Sequence, residues 1–324
     1  KIIILNQDRK KNKQMKIDAK LVMELRQKTG AGMMDCKKAL LESNGSLENA
    51  IDHLRKTGIT KAEKKGTRQT KEGLIYSYIH AGGRLGVMIE VNCETDFVAK
   101  GDAFTALVQN LASEISTKAP ADLDAFLASD SSNASGSVQD YVTESIASIK
   151  ENISVRRFAH YNLDGKPGLL SSYIHTGGKI GVLIELSVTN EATASKPEVK
   201  QLAKDLCMQI ASAAAEYIQT EDIPADVRAE EKRIEMGKED IQSKPEEVRE
   251  KIVEGRVAKL LSQRVLLEQA FIKDPAQTVA ELLKEQSGAM GDTITVARFQ
   301  RYVLGEGIEK KQENFAEEVM AQLK

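Results

Sequence analysis

Residues 73–91 read GLIYSYIHAGGRLGVMIEV, and residues 168–186 read GLLSSYIHTGGKIGVLIEL. Twelve of the nineteen positions are identical, and residue 168 stands 95 positions after residue 73. Each copy alternates apolar and polar residues, turns at Gly-Gly and alternates again, which predicts a β-hairpin. A second pair repeats the theme: ISVRRFAHY at 153–161 and ITVARFQRY at 294–302, now 141 positions apart. Each half is therefore expected to be a hairpin, a helical stretch and a closing strand, giving an α+β chain with a duplicated core. The expected repeats span 73–163 and 164–304.

The second spacing exceeds the first by 46, so the second half carries that many extra residues between hairpin and closing strand. Residues 221–267 account for them. They are charged and helical in pattern, with breaks near Gly237 and at Ser243-Lys244-Pro245. Ile252, Val253, Val257, Leu260, Leu261 and Val265 form an apolar stripe. Two helices joined by a short break predict an antiparallel helical, coiled-coil arm. Its stripe serves either packing within the same half or a partner surface.

Upstream, residues 15–57 predict a module of three short helices. Leu21, Val22 and Leu25 share one face, as do Cys36, Ala39 and Leu40, then Leu47, Ala50, Ile51 and Leu54. Ser46 is placed to cap the third helix. Residues 58–72 carry Lys61, Lys64, Lys65, Arg68 and Lys71 with almost nothing apolar, and read as a solvated basic linker or, in the sharper alternative, a basic helix contacting RNA. Ser129–Ser137 reads as a variable surface loop. Phe315, Val319 and Leu323 recur at helical spacing in a C-terminal module, 305–324. Residues 1–14 form an extension to which no role is assigned.

The 324 residues are 41% apolar and 29% charged with a net charge of −2, which suits buried cores and argues against a general nucleic-acid binder. Aromatics are only 4% and Trp is absent, so stacking platforms for single strands are scarce. Cys36, Cys93 and Cys207 are far apart and odd in number, which fits a reducing compartment better than a disulfide framework. Bacterial cytoplasm, plastid stroma and mitochondrial matrix all satisfy that. No apolar run is long enough to span a bilayer. No HExxH, GxSxG or P-loop pattern occurs. The Gly-Gly segments join strand to strand, whereas a phosphate loop leads from strand into helix. The expectation is a protein that is not an enzyme, with no cofactor and no metal. His80 and His175 occupy equivalent hairpin positions, which argues for a shared structural task.

Two segments are not shared by the repeats. Glu90–Ala99, EVNCETDFVA, leaves the first hairpin. Its counterpart in the second half has Glu191-Ala192 where the first has Asp96-Phe97. Phe97 beside Asp96 is either core plus helix cap or an exposed anchor. The other segment, Leu25–Leu40, contains Met33 and Met34. Two adjacent methionines cannot both face the core of a small helix, and Met adapts well to a partner.

TGAGMMDCKKAL at 29–40, EVNCETDFVA at 90–99 and LGEGIEK at 304–310 resemble signature segments of the elongation factor Ts family, and the similarity runs from about Met15 to the C-terminus. The resemblance implies a ubiquitin-associated-like N-terminal module, a duplicated core, a helical arm and a C-terminal module. It implies a guanine-nucleotide exchange factor of translation elongation that binds EF-Tu, GDP-bound and nucleotide-free, with neither membrane nor direct nucleic-acid contact; the arm at 221–267 contacts either EF-Tu or another copy, so monomer and homodimer both stand. Arg26, Met33 and Met34 match positions that grip the GTPase. Thr95, Asp96, Phe97 and Val98 match the segment that disturbs its Mg²⁺ site, and His175 matches a core position facing EF-Tu. The competing expectations are a scaffold binding ubiquitin or another protein through the three-helix module, and an RNA-associated factor acting through residues 61–71.

Overall fold

A computed structural model describes residues 17–29, 31–66 and 68–308. The extension at 1–14 and the expected terminal helix beyond residue 308 lie outside the described residues. Three helices open the described chain: α1 (Ala19–Thr29), α2 (Met33–Glu42) and α3 (Leu47–Lys65). They close on Val22, Leu25, Cys36, Ala39, Leu40 and Ala50. Asn49 N–H donates to the Ser46 hydroxyl at 3.3 Å, so the expected cap of α3 forms.

The first half follows as β1 (Glu72–His80), β2 (Leu85–Cys93), α4 (Asp96–Ala99), α5 (Asp102–Lys118), α6 (Leu123–Ala128), α7 (Val138–Ile149) and β3 (Ile153–Asn162). The second half has β4 (Gly168–Ile174), β5 (Ile180–Ser187), α8 (Glu191–Ala194), α9 (Pro197–Ala213), α10 (Ala225–Met236), α11 (Glu239–Gln242), α12 (Glu246–Ser262), β6 (Ala270–Phe271), β7 (Asp274–Thr278), α13 (Val279–Met290) and β8 (Thr295–Val303). The sheets are β1-β2-β3 and β4-β5-β8, all antiparallel, so each closing strand pairs with the second strand of its own hairpin. Even the irregularities repeat. Register shifts between Glu90 and Val91 opposite β3, and between Glu185 and Leu186 opposite β8. Ser137 with Asp140 and Thr278 with Glu281 build capping boxes at the starts of α7 and α13.

Each sheet buries one face under its own helices. Val87, Ile89 and Val91 meet Leu107, Val108 and Leu111 of α5, while Val182, Ile184 and Leu186 meet Leu202, Leu206 and Ile210 of α9. The opposite faces meet each other around Ile75, Met88, Leu170 and Leu183. Fully burying a side chain of this size contributes roughly 2 kcal/mol, so this shared layer binds the halves strongly. Glu90 accepts from Arg157 Nε at 2.6 Å and Glu185 from Arg298 Nε at 2.7 Å. Each arginine also lies on a tyrosine of the other half: Arg157 is 4.2 Å from the Tyr302 ring and Arg298 is 4.0 Å from Tyr161. Besides Asn92 Nδ2 at 3.3 Å, Glu90 has two further partners, Arg156 Nη1 at 2.8 Å and Gly305 N–H at 2.8 Å. These tie the stretch after β8 back onto the first half.

The linker and the arm differ from expectation, and the structure adds detail elsewhere. The stretch expected as a solvated linker is helical to Lys65, because Lys, Ala and Glu continue a helix once its first turns are packed. The expected variable loop is anchored: buried Glu114 accepts from Ser131 Oγ at 2.8 Å, Ser132 N–H at 3.1 Å and Asn133 Nδ2 at 2.7 Å. The arm has three helices, with α11 filling the break between α10 and α12. Val253, Val257, Leu261 and Val265 of the stripe are buried with Ile223 and Ile241, so most of it packs internally, while Leu260 is exposed. The short pair β6-β7, which the sequence reading lacks, follows the arm.

Candidate functional site

The strand β2 delivers its last residue, buried Cys93, to the foot of a turn made by Glu94 and Thr95. The Cys93 thiol donates to the Thr95 carbonyl at 3.2 Å. Burial, with Glu151 nearby, pushes that thiol up to about 12, so it is inert as a nucleophile. Thr95, rather than Asp96, is the N-cap of α4: its hydroxyl accepts from Val98 N–H at 3.3 Å. Glu151 accepts from Glu94 N–H at 3.1 Å, Thr95 N–H at 3.0 Å and the Thr95 hydroxyl at 2.6 Å. Asn152 N–H donates to Glu94 Oε1 at 2.6 Å.

On this foot, α4 holds Phe97 out in solvent at 85% exposure, the most exposed large apolar side chain among the described residues. Val98, one residue on, packs against the first-half core. Successive helical residues point about 100° apart, so Phe97 and Val98 face different sides. Asp96 ion-pairs with Lys100 at 2.8 Å. That hydrogen bond holds the Asp96 carboxyl below the usual carboxylate range, with Lys179 adding to the effect.

His175 is exposed at the end of the second hairpin's first strand, and its Nδ1 lies 3.0 Å from the Tyr173 hydroxyl. His80 repeats the contact with Tyr78 at 2.9 Å. The turn beyond His175 carries Lys179, which pairs with Glu72 at 3.3 Å at the start of β1. The structure thus brings the His175 turn and the Asp96 turn to one edge of the core.

Arg26, Met33 and Met34 stand on the N-terminal helices, exposed, with Met33 at 51% and Met34 at 75%. Gly32 leads into α2 without a side-chain cap, so the methionines begin the helix unshielded. Met23 of α1 is 58% exposed, a third methionine that sequence reading did not single out. Its signal was its place between Val22 and Leu25, off the apolar face. These helices sit on the body through α3 against α7, where Arg55 pairs with Asp140 at 3.8 Å and Glu144 at 3.4 Å.

Among the described residues, no group of three or more His, Cys, Asp and Glu side chains is placed to hold a metal ion. No helix among them is long and apolar enough to cross a membrane. Glu151 is the functional residue that sequence reading missed. An acidic residue stands just before the closing strand in both repeats, Glu151 and Asp292, and that coincidence was the available signal.

The arrangement presents an aromatic ring and a carboxylate from a braced turn and, on the N-terminal helices, a separate group of exposed methionines, which suits insertion into another protein. The family model for elongation factor TS matches residues 94–306. Elongation factor Ts of Nostoc sp. is 51% identical over 309 residues, covering 95% of this chain and 98% of that one. That of Nostoc punctiforme is 49% identical over 310 residues, with 95% and 98% covered. That of Symbiobacterium thermophilum is 46% identical over 306 residues, with 94% and 98% covered. A match along nearly the whole of both chains, through the hairpins and the braced turn alike, places this chain in the elongation factor Ts family.

Proposed function

We propose that Phe97 and Asp96 enter the GTPase EF-Tu, disturb the surroundings of its Mg²⁺ and so release GDP. Membership of the family makes the chain a guanine-nucleotide exchange factor of translation elongation. The observation that carries the residue-level reading is the 85% exposure of Phe97 on a turn whose foot is held by Glu151. An aromatic ring left in water on a braced support contributes nothing to its own fold, so its value lies in what it enters. Arg26, Met33 and Met34, on a ubiquitin-associated-like module spanning about 15–57, grip the GTPase domain. His175 approaches from the same edge as Asp96.

A factor that favours the nucleotide-free arrangement weakens nucleotide binding by the same ratio with which nucleotide weakens the factor. GTP then displaces it, and the cycle repeats with no covalent step. The coiled-coil arm, with Ile234, Val248 and Leu260 exposed on it, is the surface for a second copy, which sedimentation of an arm-deleted chain tests. The free cysteines Cys36, Cys93 and Cys207 suit a reducing compartment such as bacterial cytoplasm.

The test is release of a fluorescent GDP analogue from EF-Tu. Asp96→Ala with Phe97→Ala should abolish most of the stimulation while the far-UV spectrum is unchanged. Full stimulation by that double variant would remove the wedge.

A further inference from the structure

The repeat symmetry shows how the Asp96 turn differs from its mate. In the second half, Thr189 N–H and Asn190 N–H donate to Asp292 at 3.0 Å each, and the Thr189 hydroxyl does the same. Asp292 therefore does for Thr189-Asn190 what Glu151 does for Glu94-Thr95. The second-half turn has another tie. Arg84, from the tip of the first hairpin, ion-pairs with Glu191, the first residue of α8, and donates to Lys166 O at 3.3 Å. The repeat mates of Arg84 and Glu191 are Lys179 and Asp96. Lys179 pairs instead with Glu72, and Asp96 with Lys100 inside its own turn. Among the described residues, an ion pair from the opposite hairpin tip to the turn itself exists only in the second half; Lys179 bonds across the repeats to Glu72 and reaches Asp96 by its charge alone. The mate of Phe97 there is Ala192, which has nothing to present.

We propose that Glu151 is the positioning residue of the exchange reaction. It does not enter the partner. It fixes the foot of a turn whose head makes no direct ion pair with the opposite hairpin tip, and so sets the direction in which Asp96 and Phe97 leave the body. The proposal rests on the reading of Phe97 as the inserted group. A group that pushes into another protein is only as effective as its support is fixed. Loss of the support leaves the grip of Arg26, Met33 and Met34 intact, so maximal release falls more than affinity does.

The experiment follows GDP-analogue release from EF-Tu as the concentration of the full chain is raised. Glu151→Ala should lower the plateau rate about tenfold, since small misplacements of acting groups cost that much or more. The half-saturating concentration should stay near wild type. Glu151→Asp should restore most of the plateau, because an aspartate performs the equivalent task at 292. Asp292→Ala is the control for a merely structural role: it should lower the melting temperature as Glu151→Ala does, yet leave the plateau unchanged. Thr95→Val, which removes the 2.6 Å bond and with it the cap on Val98 N–H while leaving both backbone amides on Glu151, supplies the same test should Glu151→Ala fold poorly. Phe97→Ala runs in parallel. If it leaves the plateau unchanged, the wedge reading fails. If it lowers the plateau while Glu151→Ala, or Thr95→Val in its place, does not, the positioning role is overturned.

Discussion

The hydroxyls of Ser77 and Ser172 hydrogen-bond to each other at 2.9 Å. They are the same position of the two repeats, so the bond sits on the axis that relates the halves. Around it, Arg157 over Tyr302 and Arg298 over Tyr161 form a reciprocal pair. The scaffold obeys the symmetry closely. The braced turn carrying Phe97 departs from it, and so does the Glu90 cluster that holds the chain after β8.

Phe97→Ala should separate function from stability. A side chain 85% exposed contributes little to its own fold, so unfolding free energy should stay within about 0.5 kcal/mol of wild type. If the ring is an anchor in the partner, its loss should cost about 2 kcal/mol, roughly thirtyfold, in stimulated GDP release. Urea titration and stopped-flow release check the two halves of the statement.

Met33→Ala and Met34→Ala should act on affinity. Both side chains are exposed, so each variant should unfold as wild type does. Each should weaken the EF-Tu complex by about 1 kcal/mol, near fivefold, as adaptable anchors do. Arg26→Ala should behave similarly. Calorimetric titration that returns wild-type affinity for all three would remove the gripping role.

Glu90 should make the protein acid-sensitive. Burial raises its pKa, but Gly305 N–H, Arg156 and Arg157 outweigh burial and leave it below the ordinary glutamate value of 4.5. A carboxylate whose folded pKa is depressed stabilises the fold above its unfolded value, and that stability is lost as pH falls through the folded one. Stability should therefore decline below about pH 4.5, and Glu90→Gln should flatten that limb while costing about 3 kcal/mol at neutral pH by taking the carboxylate from Arg156 and leaving Arg157 only Glu306 at 3.4 Å. Urea midpoints across the acid range measure both.

Gly181→Ala should destabilise the interface between the halves. A Cβ there would stand 2.5 Å from Ile75 Cγ2 and 2.9 Å from Met88 Sδ, in the shared apolar layer. Overpacking of this kind costs about 2 kcal/mol. Thermal unfolding should show a single transition at a lower midpoint; an unchanged midpoint would mean that the layer yields easily.

The duplicated hairpins and closing strands were legible because alternation, Gly-Gly turns and two spacings all agreed. Helix geometry required only that one of Met33 and Met34 be exposed, and both are. Phe97 was ambiguous in sequence, since an aromatic at a strand-to-helix junction fits a core as well as a surface. Thr95 took the capping role that Asp96 could have filled, and Val98 took the inward direction. The helical run to Lys65 was hidden by the absence of apolar residues, although its Lys, Ala and Glu content favours helix. The β6-β7 pair was hidden by brevity, as Ala270–Phe271 is too short to show alternation. Glu151 and Glu114 act through loop backbone amides that come near them only after folding, and no local pattern encodes such a meeting.

The layer of Ile75, Met88, Leu170 and Leu183 is built from like surfaces facing one another. Either hairpin, detached from the other, would carry a self-complementary patch, and two identical copies would satisfy it by two-fold pairing. The present chain is then a dimer whose subunits have been joined end to end. In such a joined pair, one copy of the turn can carry an aromatic ring while the other keeps to its structural duty.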